Sequence, residues 1–514
     1  MIILAPEDEH QVKTDHAPRP TVRCPEPAVA AGRSSTPSTL PDYETSQAQQ
    51  LLDHHLHPTR RRRRGCRWPQ ASLKPRSYRA LLYGLALYVF LTIVVGVPLI
   101  VTQLRRPYPR HYSPPPWEDS EETETSSLLD LARIGLVMVG DTGGFICNNW
   151  TMSEDVDSGR YRASVSHTFS PSGSLSISSN ASEANFVGMT GALWADVNPD
   201  TSVTDIMLTV DVVASSDMLR HMVHVCFGDA GNDRGAAIYV PSHLPAADTV
   251  DVQIYLLYPS SPSLDTRNLV TSLPLYTQAF DSLSPTVVFD TLSVYGSRGD
   301  IWCDSVQARK IVIQNSLGSI GGNFNATQLL KLDTIEAPIK GNITLTYVDS
   351  DDAGTTTLAM YTGNSEVNAN VTLYTNAVSD LPPEYMLDVK TFNDTLSLDV
   401  AYDTPTPDAR VNVHAQNNLA QSIISMDEQF TGTFDLQTKL SSAEVWEGDT
   451  SSPDAYRGSD HRSFIYDTRS ATRRKGWVGW GSRPEKWQPN QGHIDVVSSY
   501  SPVYLRSRSR SGGP

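Results

Sequence analysis

Cysteine is scarce in this chain, five in 514 residues, and no two form a C-x-x-C pair, which argues against a cysteine-based metal centre. The chain also lacks a G-x-S-x-G elbow, an H-E-x-x-H helix, a Walker loop and a dinucleotide-binding glycine fingerprint. With them go the serine-hydrolase, zinc-protease and nucleotide-binding classes that those motifs mark. Sustained amphipathic helical periods are missing, apart from a short stretch at 217–224. Residues 1–79 contain no asparagine.

What the chain does have is one uncharged run, ALLYGLALYVFLTIVVGVPLIVTQL, at 80–104. At 1.5 Å per residue it is long enough to cross a hydrocarbon core of roughly 30 Å as a transmembrane helix. Basic residues crowd its N-terminal flank (Arg60 to Arg64, Arg67, Lys74, Arg76, Arg79), against Arg105, Arg106 and Arg110 beyond it. The asymmetry predicts a type II, single-pass protein with its N-terminus cytosolic and its C-terminal portion lumenal or extracellular. Residues 1–79, rich in Pro, Ser, Thr and charge, read as a disordered cytosolic arm, and 105–130 as a Pro-rich, then acidic stalk. His54, His55 and His57 lie in the arm without a second ligand group.

Charge is unevenly spread. Residues 131–445 carry 36 acidic and 14 basic side chains, an excess that would repel nucleic acid. Cys24 and Cys66 fall on the reducing side of the predicted membrane. Cys147, Cys226 and Cys303 form the disulfide pool on the oxidising side, enough for one bridge and one spare thiol.

From about residue 131 the pattern becomes period-two alternation, as in DIMLTVDVV and TVDVQIYLL, which predicts an all-β ectodomain. Between 291 and 445 seven segments align, starting at Leu292, Ile311, Leu330, Leu358, Leu387, Val411 and Phe434. Two positions on, all are apolar: Val294, Ile313, Leu332, Met360, Val389, Val413 and Leu436. Nine on stand Ile301, Ile320, Ile339, Val367, Leu396, Ala420 and Ala443. Each unit reads as a strand, a corner (Gly296, Asn315, Thr334, Thr362, Thr391, Ala415, Thr438) and a second strand. A single unit cannot bury its apolar face, so the units should stack as a β-solenoid-like domain; a meandering sandwich is the competing arrangement. Residues 131–290 lack the repeat and read as a β-sandwich-like or irregular β region, and 446–514 as a disordered basic tail with Trp477, Trp480 and Trp487. Arg473-Arg474-Lys475 in that tail reads as a dibasic processing site.

The strand, Thr or Asn corner, small residue and Ile of this repeat resemble the adhesin-like β-solenoid domain of unknown function. The whole layout resembles uncharacterised fungal single-pass membrane proteins that carry it. The resemblance covers roughly 290–445. It departs from the usual Thr-x-Asn-Gly-x-Ile at Thr334-Ile-Glu-Ala-Pro-Ile and Thr362-Gly-Asn-Ser-Glu-Val. It implies no catalytic residues, metal ligands or cofactor.

Six N-x-S/T sequons, at Asn149, Asn180, Asn325, Asn342, Asn370 and Asn393, all follow the apolar run, as lumenal N-glycosylation requires. Asn342 and Asn370 precede inward residues and so should face solvent. Asp304, Asn323 and Asp399 occupy the same repeat position, an outer polar row able to meet sugars or a cation. His221 and His224, and the acidic clusters Asp155-Val-Asp157 and Asp349-Ser-Asp351-Asp352, lack the partners that would define a metal site. The reading is a non-enzymatic type II membrane glycoprotein for adhesion or scaffolding, with cell-wall carbohydrate or a surface protein as partner. The alternative is a carbohydrate-active enzyme, a glycosyltransferase or β-helix hydrolase or lyase.

Overall fold

The computed structural model describes residues 146–508, apart from 156–158, 183–184, 186, 231–232, 243, 246, 261–263, 349–353, 376–381, 404–408, 448–461 and 487. Residues 1–79 and 105–130, read as a cytosolic arm and a stalk, and the predicted membrane span at 80–104 lie outside the described residues. Among the described residues no helix is long and apolar enough to cross a membrane. Among the described residues one short helix, Asp217–Met222, interrupts strands and their connections.

The alternating strands assemble as two long ladders of mostly parallel pairs. Each rung gives one strand to the first ladder, turns a corner and gives one to the second. Glu384–Thr391 and Leu396–Tyr402 make one such rung. The fifteen-residue strands Ile301–Asn315 and Ile320–Thr334 pass through both ladders and join them. Register is strict where the repeat aligns in sequence: Leu292 meets Ile311, Ile311 meets Leu330, Leu330 meets Leu358 and Leu358 meets Leu387. Every one of these side chains is buried, as are Val294, Ile313, Leu332, Met360 and Val389 beside them. Burying each such side chain is worth about 1.5–3 kcal/mol, and only the neighbouring rungs supply the cover.

The corner residues are polar and yet buried. Thr334 Oγ1 donates to the Ala337 carbonyl at 2.6 Å, Thr362 Oγ1 to the same oxygen at 3.1 Å and Thr391 Oγ1 to the Ser365 carbonyl at 2.8 Å. Asn315 Nδ2 reaches the Gly299 carbonyl at 2.7 Å and Asn417 Nδ2 the Asp394 carbonyl at 2.9 Å. A chain that turns sharply points backbone carbonyls into its own interior, and a Thr or Asn at the turn gives those acceptors a donor.

The sixth unit departs from the sequence alignment by two residues. Leu387 pairs with Val413, not Val411, Thr391 with Asn417 and Leu396 with Ser422. A slip of two keeps every side chain on its own face, so apolarity alone could not detect it. Ala420, read as an inward residue, belongs to the corner.

Both ends of the stack also depart from the sequence reading. Residues 131–290, read as lacking the repeat, extend the stack: Leu264–Ser272 and Thr277–Ser282 form a rung in register with Val287–Tyr295 and Ile301–Asn315. Its inward positions hold Thr271 and Gln278 where the aligned repeat has Val294 and Ile301, so the apolar pattern broke there. Both are fully buried and satisfy each other: Thr271 Oγ1 donates to Gln278 Oε1 at 2.6 Å, and Gln278 Nε2 to the Tyr295 carbonyl at 3.0 Å.

The tail read as disordered is ordered in large part. Gly492–Ser498 and Val503–Arg508 form a rung inserted between Arg410–Asn417 with Ser422–Asp427 on one side and Gly432–Thr438 with Ala443–Trp446 on the other. Val413 therefore meets Ile494, which meets Phe434. Arg473–Trp480 and Arg462–Arg469 then add to the first ladder as antiparallel strands. Trp477 is buried, and Trp480 Nε1 donates to the Glu428 carbonyl at 3.1 Å. Arg473-Arg474-Lys475 pairs with a strand on each side, so this stretch is no loose processing site.

The opposite end mirrors this. Ser174–Ser179 and Met189–Val197 lie between Asp233–Tyr239 with Val250–Tyr258 and the later rung 264–282. Beyond them, antiparallel strands finish both ladders: His224–Ala230 and Ile146–Cys147 on the first, Ile206–Ala214, Arg160–Phe169 and Thr151–Asp155 on the second.

Replacing Thr391 by Val keeps the shape of the corner and removes the donor to the Ser365 carbonyl. The expected loss is about 1–3 kcal/mol, the cost of a buried acceptor left unpaired, read as a lower denaturant midpoint with an unchanged slope.

Candidate functional site

Outward positions of the second ladder form columns that run across the rungs. One column reads Tyr255, Trp194, Ala279, Trp302, Gly321, Lys340 in direct register. Tyr255, Trp194 and Trp302 are 39%, 42% and 52% exposed, large aromatic side chains left in water on one side of the sheet. Each follows a buried residue (Ile254, Leu193, Ile301) and precedes another (Leu256, Ala195, Cys303), so strand alternation turns it outward.

The two indoles are held in place. Trp194 Nε1 donates to Gln253 Oε1 at 3.3 Å, Gln253 Nε2 donates to Asp251 Oδ1 at 3.0 Å, and Thr190 Oγ1 donates to the same Asp251 oxygen at 2.6 Å. Trp302 Nε1 donates to Asp304 Oδ1 at 2.7 Å. Gly321 is the residue beside Trp302, and a Cβ there would come within 2.4 Å of the indole ring. The ring thus lies across the next rung, on the space that glycine leaves.

A second column runs two residues further along each strand. Asp196, Asp281 and Asp304 fall on consecutive rungs, next to the paired positions Ala195, Phe280 and Cys303. Partial burial, and then the charges of Asp196 and Asp304, hold the Asp281 carboxyl above its ordinary range. The column continues as Asn323, Asn342, Asn370, Asp399, Ser425 and Arg506. The asparagines form a ladder of their own: Asn323 Nδ2 donates to the Asp304 carbonyl at 2.6 Å, Asn342 Nδ2 to Asn323 Oδ1 at 2.9 Å and Asn370 Nδ2 to Asn342 Oδ1 at 3.0 Å. Asp399 accepts from Arg508 Nη1 at 2.6 Å. The outer row containing Asp304, Asn323 and Asp399 is therefore brought together. The aromatic column beside it was missed, although a Trp or Tyr at the outward position of an alternating strand was there to be read.

The other sequence candidates are scattered. His221 sits on the short helix within 3.7 Å of Asp217, whereas His224 Nδ1 lies 2.6 Å from Asn148 Nδ2 on the first ladder. Among the described residues no group of three or more His, Cys, Asp or Glu could hold a metal ion. Asp157 and the cluster at 349–352 lie outside the described residues. Cys147 is bonded to Cys226 across an antiparallel pair, and Cys303 is free and buried, its thiol pushed up by that burial.

The sequons differ in setting. Asn149 and Asn393 are exposed and outside the strands, Asn393 at a corner. Asn180 exchanges two hydrogen bonds with the Val240 backbone, at 3.1 and 2.7 Å. Asn325 is half-buried and accepts from Thr346 Oγ1 at 3.0 Å. Asn342 and Asn370 face solvent as the alternation requires, but they are paired neighbours only about 4.8 Å apart.

No family model matches the chain, and no curated protein is similar to it. Solved structures that the chain matches weakly are a "putative cell adhesion protein" from Clostridium sporogenes (9% identity, 68% of this chain and 100% of that one, TM-score 0.15), and two described as a "putative adhesin". Of these, the Parabacteroides merdae protein is 10% identical over 52% of this chain and 90% of its own, with a TM-score of 0.20. The Parabacteroides distasonis protein is 9% identical over 67% and 96%, with a TM-score of 0.22. TM-scores this low lend the likenesses no weight.

Because the folded state holds the Asp281 carboxyl above its ordinary value of 3.8, folding favours its protonated form. That favourable contribution is complete below the unfolded pKa and lost as pH rises through the folded one. Asp281→Asn should accordingly raise the melting temperature at about pH 7 and lose this advantage below about pH 3.8, as thermal melts at both pH values would show.

Proposed function

We propose that this protein works by contact: a β-solenoid, adhesin-like stack displays the outer face of its second ladder to a partner for adhesion or scaffolding. The observation that carries the reading is the column of Tyr255, Trp194 and Trp302, all exposed, with both indoles tied in place by their neighbours. Leaving such rings in water forgoes the stabilisation their burial would bring, and fixing their orientation lowers the entropy lost when a partner covers them. The acceptors Asp196, Asp281, Asp304 and the asparagine ladder lie side by side along the same face, which suits holding an extended partner.

In this reading the run at 80–104 anchors the protein in the membrane with residues 1–79 in the cytosol, and the stalk carries the stack to the lumenal or extracellular side. The partner is cell-wall carbohydrate or a surface protein. Glycans belong on Asn149 and Asn393, whose side chains stand clear of the ladders. Asn342 and Asn370 are too close for two glycan stems side by side.

Two measurements test this. Cells displaying the full-length protein should adhere to a cell-wall-coated surface. The triple substitution Trp194→Ala, Tyr255→Ala, Trp302→Ala should cut that adhesion about tenfold or more at equal surface display. Adhesion that ignores the substitutions would remove the face from the function. Glycopeptide mass spectrometry should find sugar on Asn149 and Asn393 and never on Asn342 and Asn370 in the same molecule; a doubly occupied ladder would contradict the placement.

A further inference from the structure

The aromatic and acidic columns together describe the ligand they would accept. Both tryptophans of the face spend their N–H on an internal acceptor, Trp194 on Gln253 and Trp302 on Asp304. What each ring still offers is a π-face, which carries negative charge density. The carboxylates alongside accept hydrogen bonds and donate none. Asp196, Asp281 and Asp304 have no ion-pair partner among the described residues, and the nearest cation along the ring column, Lys340, is paired with Glu366 at 2.8 Å. The complement of this surface is a ligand rich in donors and positive charge, with a flat apolar side to lie on the rings.

Dimensions narrow the class. Trp194 and Trp302 stand two rungs apart, about 9.6 Å along the stack, with carboxylates at each rung of about 4.8 Å. An extended peptide presents same-side groups about 6.8 Å apart, which falls out of step with the rungs. A β-1,4-linked pyranose chain turns each sugar over relative to the last, so the same side recurs every second sugar, close to the two-rung spacing of Trp194 and Trp302, and its axial C–H face packs on indole. The rings sit on a sheet face whose backbone is already paired on both edges, so strand addition by a peptide has no template here.

We propose that this face binds a polysaccharide of amine-bearing sugars, its chain lying along the stack with sugar faces on Trp194 and Trp302, the ammonium groups of alternate sugars against Asp196 and Asp304, and the charge of Asp281 between them. The assignment rests on the contact function proposed for this face and specifies its ligand.

The test is direct titration of the full-length protein with a glucosamine hexamer. The N-acetylated hexamer and a lysine hexapeptide serve as comparators, each at low and high salt. The amine-bearing hexamer should bind, more weakly at high salt, and the acetylated hexamer and the peptide each about tenfold or more weakly. Trp302→Ala and Trp194→Ala should each weaken binding of the amine-bearing hexamer about tenfold, with Trp302→Phe partly restoring it. Asp281→Asn should reduce the salt dependence. Lys439→Gln, exposed at the turn after Gly432–Thr438 near the far end of the stack, should leave binding unchanged. All these side chains except Asp281 are exposed, and an unchanged circular dichroism melt controls for folding of the Trp variants. Equal binding of the lysine peptide or the acetylated hexamer, no binding of the amine-bearing hexamer, or indifference to both Trp→Ala changes would overturn the assignment. If cell adhesion still depends on the three rings while the amine-bearing hexamer does not bind, the contact function stands and the ligand class is wrong.

Discussion

A parallel rung is an incomplete object. Its backbone donors and acceptors point along the stack and its apolar row faces inward, and neither is satisfied until a neighbour arrives in register. Every other feature of the structure follows from that dependence. The corners carry buried Thr and Asn because a tight turn between ladders aims carbonyls inward, and the next rung alone cannot reach them all. The inward columns tolerate a hydrophilic pair at Thr271 and Gln278 because those two side chains satisfy each other before they meet the core.

The same dependence makes the ends the weak points of a stack, since an end rung offers an open edge to any other strand. Here both ends are built out of chain order. The earliest rung, 174–197, and the latest, 492–508, each lie between two others, so each is paired along both edges and on both ladders. Antiparallel strands then finish the ladders outside them. Polar and charged side chains on the outward side of the last rungs join neighbouring strands: His414 lies 3.1 Å from Asp495, and Arg473 bonds both oxygens of Asp435. Closing the stack this way needs chain segments that are far apart in sequence, and Cys147–Cys226 adds a covalent tie at the first end.

With cohesion supplied by the interior, the outer face of the second ladder is free to carry side chains that do nothing for stability. Exposed indoles and crowded carboxylates are poor choices for holding a sheet together. Asp281, whose ionisation the folded state opposes, sits among them. A flat sheet repeats its outward positions at fixed intervals, so a few substitutions per rung create a linear array, here rings beside acceptors and, further on, the asparagine ladder.

Alternation of apolar and polar residues determined strand content, and the recurrence of Leu, Ile and Val at two and nine positions determined which segments would lie on one another, because inward faces must match to be buried. The row through Asp304, Asn323 and Asp399 was legible for the same reason. Tertiary structure alone decided the rest. The two-residue slip at Val413 leaves every face unchanged, and a buried Thr271–Gln278 pair disguises a core position as a surface one. The final rung could not be placed beside Val413 because pairing across some eighty residues leaves no local periodicity. The site itself depends on that distant pairing too: Trp194, Tyr255 and Trp302 come from three separate segments and become one surface only when their rungs are stacked.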